Sequence, residues 1–490
     1  MSPTARTNWI PVIGLEVHCQ LKTATKIFCA CANRFGAPAN TLTCPVCTGQ
    51  PGALPVLNET ALGLALRAGL ALDCDLAPVS RFDRKNYFYC DLPKGYQITQ
   101  YEVPFASGGG ILLAGGHFVR LTRIHMEEDA GKAIHDRGSR TLVDLNRAGV
   151  PLIEIVTEAD LESADQAYEF LGLLKERLRF AGVSDCDMEK GSLRCDVNVS
   201  VHLDGEPWRT KVEVKNLNSF RHVRAAIQHE ITRQVEAYES GDPAQAPVQE
   251  TRLFDVDSGA TRPMRGKEDE GDYRYFPDPD LVPVSAAAKR LEEQRKLLPE
   301  MPAPRRRRYV DEWQVSERDA TILTAEPAVA DYFEATVEAL GSGPTTASAA
   351  AKWITNDVLG ALAEDAAAAD SIATGALGPQ QLARIISLVA AGTIQRKGGQ
   401  RLVAHVSARG GDPDALVEEL GLAALQDNGQ LRAWCLAALA GREAVAADVR
   451  AGNQKALGAL MGPVMGASGG RADPAQVRAL LLELIHGEEA

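Results

Sequence analysis

The sequence changes character near residue 285, and this change predicts two structural classes in succession along the chain. Before it, short β-rich runs such as LRCDVNVSVHL alternate with helical patterns and with turns containing Gly, Pro and Asp. After it, alanine dominates, and runs such as PQQLARIISLVAAG are typical of amphipathic helices. We therefore expect an α+β domain over residues 1–295, an all-α helical domain over 296–408 and a small helical tail over 409–490. The basic run Arg305 to Arg308 between the two classes is interpreted as a surface linker.

Charge and hydropathy exclude some classes of protein. The 490 residues carry a net charge of −13, which argues against nonspecific coating of nucleic acid but leaves room for a local, specific RNA contact. No apolar run approaches the eighteen or so residues that span a bilayer, and the start MSPTARTNWIP lacks the apolar core of a signal peptide. We expect a cytosolic protein without a membrane segment.

Four of the ten cysteines form two short-spaced pairs, Cys29-x-Cys31 and Cys44-Pro-Val-Cys47, joined by a turn-rich loop. This spacing is typical of structural zinc sites, in which four thiolates close a tetrahedron. The alternative is four buried thiols without a metal. With every position filled by protein, the zinc would hold a loop and would not take part in chemistry. The isolated cysteines are expected to be small core residues: Cys74, Cys186 and Cys435.

A second set of candidate ligands is dominated by oxygen. Glu16 and His18 lie two residues apart in GLEVHCQL and would point the same way on a strand. Further oxygen ligands come from two other strand-like segments: Glu127, Glu128, Asp129, Asp196 and Asn198. Arg194 alternates with Asp196 and Asn198 in the second of these segments. Oxygen ligands from separate strands suit Mg²⁺, which commonly holds phosphates. Taken alone, each carboxylate is more often a solvated surface charge, but the alternation of charged with apolar residues in several strands of one domain shifts that balance.

Basic residues near these segments are candidates for phosphate contacts: Arg147, Lys190, Arg194, Lys215, Arg265, Lys267 and Arg274. Neither a P-loop nor a Rossmann glycine motif occurs, so ATP, if bound, would be held by metal and side chains on an open sheet. The run RGKEDEGDYRYF contains two tyrosines and a phenylalanine, which are poor choices for a solvated loop. It is therefore a candidate lid or binding loop.

Several segments together resemble the GatB family, whose members are one of the subunits of the bacterial aspartyl/glutamyl-tRNA amidotransferase. They run across nearly the whole chain: IGLEVHCQL, FDRKNYFYCDLPKGYQITQY, HMEEDAGK, DLNRAGVPLIEIVTE, MEKGSLRCDVNVS, EVKNLNSF, DYRYFPDPD and KALGALMGPVM. The resemblance implies a glutamine-synthetase-like catalytic domain that binds ATP and Mg²⁺, followed by the helical domain and a GatB/YqeY-type tail that contacts tRNA.

The resemblance also implies a reaction. The side-chain carboxylate of misacylated Glu-tRNA(Gln) or Asp-tRNA(Asn) is phosphorylated by ATP, and ammonia then displaces phosphate. By motif, Glu16, His18, Glu128 and Asp196 fall at the family's metal site, with Glu127 as the alternative to Glu128. The basic residues then become contacts to phosphates or to the tRNA end: Arg147, Lys190, Arg194, Lys215 and Arg274.

The ammonia must come from another chain. The sequence has neither an amidase signature nor a Cys-His glutaminase pattern. The family obtains ammonia from a separate amidase subunit, and a small third subunit wraps both to complete a heterotrimer. Two other functions stay open, namely a noncatalytic tRNA-binding module and a self-contained ATP-dependent amide ligase. The sequence also leaves open which misacylated tRNA is the substrate.

Overall fold

The computed structural model describes residues 8–134, 140–264, 273–362, 372, 374–425 and 427–487. The chain divides between Met301 and Pro302 into two compact units, Met1–Met301 and Pro302–Ala490. Within the described residues, no helix is both long and apolar enough to cross a membrane.

Unit 1 contains the strands. They are β1 (Trp9–Gln20), β2 (Asp75–Leu76), β3 (Val79–Ser80), β4 (Asp83–Asn86), β5 (Tyr96–Thr99), β6 (Ala106–Ser107), β7 (Gly110–Leu112), β8 (Phe118–Glu128), β9 (Lys132–Ile134), β10 (Leu142–Asp144), β11 (Pro151–Thr157), β12 (Leu193–Leu203), β13 (Val212–Lys215), β14 (Thr251–Asp255), β15 (Ala260–Pro263), β16 (Phe276–Pro277) and β17 (Val284–Ser285).

One large sheet dominates unit 1. Its strand order is β15-β14-β13-β12-β1-β11-β8-β6-β2, with β7 also paired to β8. Neighbouring strands are antiparallel except β13 and β14, which are parallel. Beside it, β4 and β5 form a smaller sheet with β16. The long strands β1, β8, β11 and β12 therefore lie side by side at the centre of the large sheet.

The two faces of the central strands differ. Along each strand the side chains alternate, so one face carries buried apolar residues such as Val17, Ile155 and Val197. This face belongs to the core that also contains Phe170 and Leu174 of a helix and Ile227 of another. The opposite face carries charged side chains at alternate positions of the same strands, such as Glu16, His18, Glu154 and Asp196.

The helices of unit 1 are α1 (Glu59–Ala71), α2 (Ala164–Phe180), α3 (Phe220–Glu239) and α4 (Ala288–Leu297). The starts of α2 and α3 follow from serine caps, since Ser163 accepts a hydrogen bond from the backbone N–H of Gln166 and Ser219 from that of His222. Strands β12 and β13 are connected directly, whereas α2 follows β11 and α3 follows β13.

Unit 2 is helical over its described residues, apart from an isolated bridge between Ile394 and Ala423. Its helices span Pro302–Asp311, Glu317–Leu323, Pro327–Ala339, Pro344–Trp353, Leu359–Leu362, Pro379–Ala390, Arg396–Arg409, Pro413–Glu419, Asn428–Leu439, Glu443–Arg450, Gly458–Ala467 and Pro474–His486, with a π-helical turn at Ile354–Val358 and a 3₁₀ turn at Gln454–Leu457. Two apolar cores are separate, one around Phe333 and Trp353 and one around Leu460 and Leu481.

The interpretation of Arg305 to Arg308 as a surface linker is wrong. The segment lies in the helix Pro302–Asp311, and Arg305 is buried. Its guanidinium donates hydrogen bonds to Glu334 at 2.7 Å and to Asp331 at 2.6 Å. A buried arginine is tolerated when carboxylates pair with it, so this residue is part of the packed helix and not of a solvated linker.

Candidate active site

Cross-strand pairing brings charged residues from five strands of unit 1 onto one face of the large sheet. Glu16 lies directly opposite Asp196 on β12, and His18 lies opposite Glu154 on β11. Glu154 in turn lies opposite His125 on β8. Because directly opposed residues in an antiparallel pair point to the same side, these side chains share the polar face.

His18 and Glu154 form a compact ligand group with Glu127, which lies two residues after His125 on β8. Nε2 of His18 is 3.4 Å from a carboxylate oxygen of Glu127 and 3.3 Å from one of Glu154. One ligand atom from each residue lies within 4.8 Å of the others. Two carboxylates and one imidazole at this spacing fit a single divalent cation with open coordination positions.

The pKa values of this group reflect crowding of acids in a buried site. Burial, followed by repulsion from Glu154, raises the pKa of Glu127 to about 7. Burial by itself lowers the pKa of His18. The negative charges of Glu154 and Glu127, together with the hydrogen bond to Glu154, outweigh burial and raise the pKa of His18 to about 9. A cation held here would relieve the same repulsion, which supports the fit of the group to a metal.

Burial acts differently on the neighbouring His125. This ring is fully enclosed, and burial lowers its pKa to about 4, so the ring is neutral at physiological pH. Its Nε2 lies 3.5 Å from Glu154, and its Nδ1 is buried without a hydrogen-bond partner among the described residues.

A second acidic group lies beside the first on the same face, from Glu16, Asp196 and Glu213. The ammonium of Lys215 is 2.6 Å from Asp196 and 3.5 Å from Glu213. Glu16 accepts a hydrogen bond from Asn198 at 2.9 Å. Burial raises the pKa of Glu16, and the charges of Glu154 and Glu213 add to that rise. This group could hold a second cation, or it could hold the ammonium of Lys215 in place beside a bound phosphate.

Both groups open into one cavity of about 900 Å³, called here the carboxylate cavity. Its lining includes the acidic residues Glu16, Glu127, Glu154, Asp196 and Glu213, and the basic residues Lys85, Arg123, Lys211 and Lys215. A smaller space of about 210 Å³ shares His18, Glu127 and Glu154 with it and adds Asp129, Arg147 and Arg194. The arrangement places cations and anions around a volume that could accept a polyphosphate ligand.

The predicted basic contacts divide into two sets. Lys215 lines the carboxylate cavity, and Arg147 and Arg194 line the smaller space, where Arg194 donates a hydrogen bond to Asp129 at 2.8 Å. Lys190 pairs with Asp187 at 3.1 Å and lines neither space. Arg274, with a φ of 44°, also lines neither. Arg265 and Lys267 lie outside the described residues.

The structure corrects the prediction that Glu128 belongs to the metal site. Adjacent residues of a strand point to opposite faces, so Glu127 enters the cavity and Glu128 does not. Glu128 is buried on the other side, where it pairs with Lys94 and accepts a hydrogen bond from the backbone N–H of Ile98 at 2.9 Å. The alternative residue of the prediction, Glu127, takes the position expected of Glu128.

Sequence reasoning missed several residues of the cavity: Lys85, Arg123, His125, Glu154 and Glu213. Arg123 and His125 could have been found, since they alternate with apolar residues in the strand that ends with Glu127 and Glu128. Glu154 interrupts the apolar run PLIEIVT, which is a weak signal by itself. Glu213 and Lys85 come from short strands, whose pairing the sequence pattern does not reveal.

The cysteine pairs form a second, separate centre, called here the thiolate knot: Cys29, Cys31, Cys44 and Cys47. The four sulfur atoms lie within 4.8 Å of one another, and those of Cys44 and Cys47 are 3.9 Å apart. Tetrahedral zinc with bonds of about 2.3 Å separates its sulfurs by about 3.8 Å. Hydrogen bonds from Cys29 and from the backbone of Cys44, together with the charge of Lys26, lower the pKa of Cys47 to about 4, whereas the contact with Cys47 and burial raise the pKa of Cys29. The residues present therefore fit zinc.

The thiolate knot is tied to the loop that carries Arg147. Lys26 is fully buried, and its ammonium lies 3.5 Å from the sulfur of Cys47 and 3.3 Å from the carbonyl oxygen of Leu145. From the same loop, Asn146 accepts a hydrogen bond from the backbone N–H of Leu42 at 2.8 Å. Arg147 then donates to the carbonyl oxygen of Ala130 at 2.9 Å. The knot thus supports one wall of the smaller space without lining it.

Comparison with known proteins covers nearly the whole chain. Residues 11–292 match the family model of the GatB/GatE catalytic domain, and residues 331–485 match that of the GatB domain. A protein of Thermosynechococcus vestitus is 48% identical, with 98% of this chain and 97% of the relative covered. One of Persephonella marina is 47% identical (97% and 99%), and one of Anaeromyxobacter dehalogenans is 49% identical (96% and 97%). All three are named as the B-type subunit of aspartyl/glutamyl-tRNA(Asn/Gln) amidotransferase.

Proposed function

Since this chain belongs to the GatB family of aspartyl/glutamyl-tRNA(Asn/Gln) amidotransferase subunits, we propose that it performs the synthetic half of that reaction. In this proposal it binds Glu-tRNA(Gln) or Asp-tRNA(Asn), phosphorylates the side-chain carboxylate with ATP and replaces the phosphate with ammonia. The observation that carries the proposal is the group of His18, Glu127 and Glu154 inside a cavity that is also lined by cationic side chains.

The chemistry explains why both charges are needed. A carboxylate resists attack by ammonia until one of its oxygens becomes a good leaving group, and phosphorylation provides that group. Phosphoryl transfer depends on positioning and charge neutralisation, not on a protein nucleophile. Bound Mg²⁺ would neutralise phosphate oxygens and polarise the transferring phosphoryl group.

In this proposal the position of each residue in the cavity determines whether it binds a cation or contacts a phosphate. His18, Glu127 and Glu154 hold one cation, while Glu16, Asp196 and Glu213 bind Lys215 or a second cation. Lys85, Arg123 and Lys215 face the phosphates from the cavity wall, and Arg147 and Arg194 provide positive charge in the smaller space. The neutral ring of His125 supports Glu154 from behind without adding charge.

Partners complete the proposal. Ammonia comes from the amidase subunit, the small third subunit makes up the heterotrimer, and the tail over residues 409–490 contacts the tRNA. The proposal also includes two domains over residues 1–295 and 296–408, the first with a glutamine-synthetase-like fold. It further includes zinc in the thiolate knot and a cytosolic location.

An assay with purified chain, the two partner subunits, ATP, ammonia and each misacylated tRNA tests the reaction. We expect amide formation through a labile phosphorylated intermediate, and the better-converted tRNA identifies the substrate. A noncatalytic tRNA-binding module would bind tRNA without hydrolysing ATP. A self-contained amide ligase would instead convert a small acid with free ammonia and no partner.

Matched variants assign the reaction to the cavity. Glu16→Gln and Asp196→Asn keep the size of each side chain and remove one charge, and we expect each to abolish amide formation while tRNA binding persists. Asp204→Asn is the control, because Asp204 follows the same strand as Asp196 but is exposed. If both cavity variants retain wild-type rates, the chemistry does not occur in this cavity.

A further inference from the structure

Five tyrosines line the carboxylate cavity and have no role in the reaction proposed above. They come from two segments, and together they are called here the tyrosine wall: Tyr87, Tyr89, Tyr101, Tyr273 and Tyr275. Tyr87 and Tyr89 precede β5, and Tyr101 follows it. Tyr273 and Tyr275 belong to the run that the sequence marks as a candidate binding loop.

The rings of the tyrosine wall are in mutual contact. Tyr87 meets Tyr89 edge to face with centroids 5.9 Å apart, and it meets Tyr273 in the same way at 6.2 Å. Tyr273 is 6.0 Å from Tyr275, which stacks on Tyr101 at 3.9 Å. The contacts therefore join the two segments into one continuous aromatic surface.

Two cations connect this surface with the carboxylates. The ammonium of Lys85 is 4.7 Å from the ring centroid of Tyr273, and Lys85 lines both the carboxylate cavity and the smaller space together with Glu127 and Glu154. The guanidinium of Arg123 lies 5.8 Å from the ring centroid of Tyr101. Within the described residues, Lys85 has no carboxylate oxygen within 4.0 Å, so its charge is open to a ligand.

Core packing does not explain the tyrosine wall. Aromatic side chains packed as core are enclosed, as Phe82 and Phe105 are in this unit, whereas Tyr89 is 61% exposed and all five tyrosines border the cavity. Aromatic rings that border a cavity beside cationic side chains are an arrangement by which proteins bind nucleobases, because every base has a face that stacks on an aromatic ring.

We propose that the tyrosine wall stacks a nucleobase whose attached phosphates reach Lys85 and a cation held by His18, Glu127 and Glu154. The inference rests on the proposed function for the source of the base, which is either the adenine of ATP or the terminal nucleotide of the tRNA. Stacking is tolerant of base identity, so GTP should compete for the same surface.

The test compares ligands that carry a base with one that carries only phosphates. Binding of ATP, GTP and inorganic tripolyphosphate to the full chain is measured with Mg²⁺ present, for wild type and for Tyr89→Leu and Tyr273→Leu. The matched variants Tyr89→Phe and Tyr273→Phe keep the ring. Tyr168→Leu is the control for loss of an exposed tyrosine elsewhere, since Tyr168 is 42% exposed on α2.

For a base supplied by ATP, we expect each Leu variant to weaken ATP and GTP binding about tenfold, while the Phe variants and tripolyphosphate binding change less than about twofold. For a base supplied by tRNA, nucleotide binding stays constant. Instead, the affinity of the amidotransferase complex for misacylated tRNA falls about tenfold, whereas the affinity for a tRNA lacking its terminal nucleotide is equal in wild type and variant.

Either pattern supports stacking. The proposal is overturned if neither the nucleotides nor the tRNA responds, if tripolyphosphate binding falls equally, or if the Phe variants lose as much as the Leu variants. Because binding is measured directly, base stacking without amide formation would refute the proposed function while leaving this inference standing.

Discussion

The thiolate knot and the carboxylate cavity are two candidate metal centres in one unit, and they are assembled in different ways. The four ligands of the knot lie between residues 29 and 47, in turns outside the long strands. The acidic residues of the cavity lie between residues 16 and 213 and meet only because β1, β8, β11, β12 and β13 are neighbours in one sheet. A local centre can fold around its metal, whereas a centre spread over a sheet depends on the fold.

The two centres also differ in access. The knot presents four protein ligands, enough to fill a tetrahedral ion, and a fully buried lysine beside Cys47. The cavity presents fewer ligands per cation, repelling acids and open volume. A closed centre is suited to support and an open one to chemistry, so changes in the two should have separable effects.

The largest expected effect is loss of chemistry without loss of structure. Glu154→Gln removes a ligand charge from the cation group, and we expect amide formation to fall at least about 10³-fold. Zinc content should be unchanged. The exposed Glu162 provides the control variant Glu162→Gln. Retention of activity within tenfold would mean that the group of three is not the reaction centre.

The second effect separates two adjacent glutamates. Glu128→Gln leaves the ammonium of Lys94, whose side chain is only 11% exposed, without its ion pair, and we expect the free energy of unfolding to drop by about 3 kcal/mol. Glu127→Gln should not destabilise the metal-free protein, because the charged form of Glu127 is already disfavoured there. Chemical denaturation of both variants checks the contrast, and equal losses would contradict it.

The third effect is a pH dependence of stability in protein dialysed free of Mg²⁺ with zinc retained. The raised pKa of His18 means that its protonated form stabilises the fold fully below about pH 6.5, and this stability is lost as pH rises through about 9. The slope contributed by one proton is at most about 1.4 kcal/mol per pH unit.

Denaturation between pH 8 and 9 measures this slope, because Glu127, with a pKa of about 7, is almost fully ionised above pH 8. His18→Gln should flatten the curve, and so should saturating Mg²⁺, whose charge replaces that of the proton. His405→Gln, in unit 2, is the matched control. An unchanged slope in His18→Gln would refute the assignment.

The smallest expected effect on chemistry comes from the knot. Cys44→Ser or Cys47→Ser should abolish zinc binding and lower the Tm, but change the rate of amide formation by less than about tenfold, since the knot supports the loop of Arg147 without lining the carboxylate cavity. Metal analysis and steady-state kinetics on the same preparations measure both. A loss of chemistry as large as that in Glu154→Gln would remove the distinction between the two centres.

Much of this contrast could be predicted from sequence, for a physical reason. Short spacing fixes which cysteines can share an ion, so the grouping of the thiolate knot needed no knowledge of the sheet. For the cavity, Glu16, His18 and Asp196 could be named because charged residues alternate with apolar ones in their strands. Their partners Glu154 and Glu213 depend on which strands are neighbours, and periodicity carries no information on strand order.

The tyrosines show the same limit. The segments that carry the tyrosines could be recognised in the sequence. The tyrosine wall, however, forms only where the chain near residue 87 contacts the chain near residue 273. That meeting follows from the pairing of β4 with β16, two short strands almost two hundred residues apart. Resemblance to a family gave Glu128 as a metal ligand and Glu127 only as its alternative, because a motif does not record which side of a strand a residue faces.

The adjacent glutamates of β8 also make the strand intolerant of a change in length. One residue inserted directly after Arg123 would exchange the two faces along the rest of the strand, turning Ile124 and Met126 toward the cavity and Glu127 toward the apolar core. Insertions and deletions that survive in this protein should therefore fall in the connecting turns, such as those after Leu112 or Leu203, and the central strands should change only by substitution.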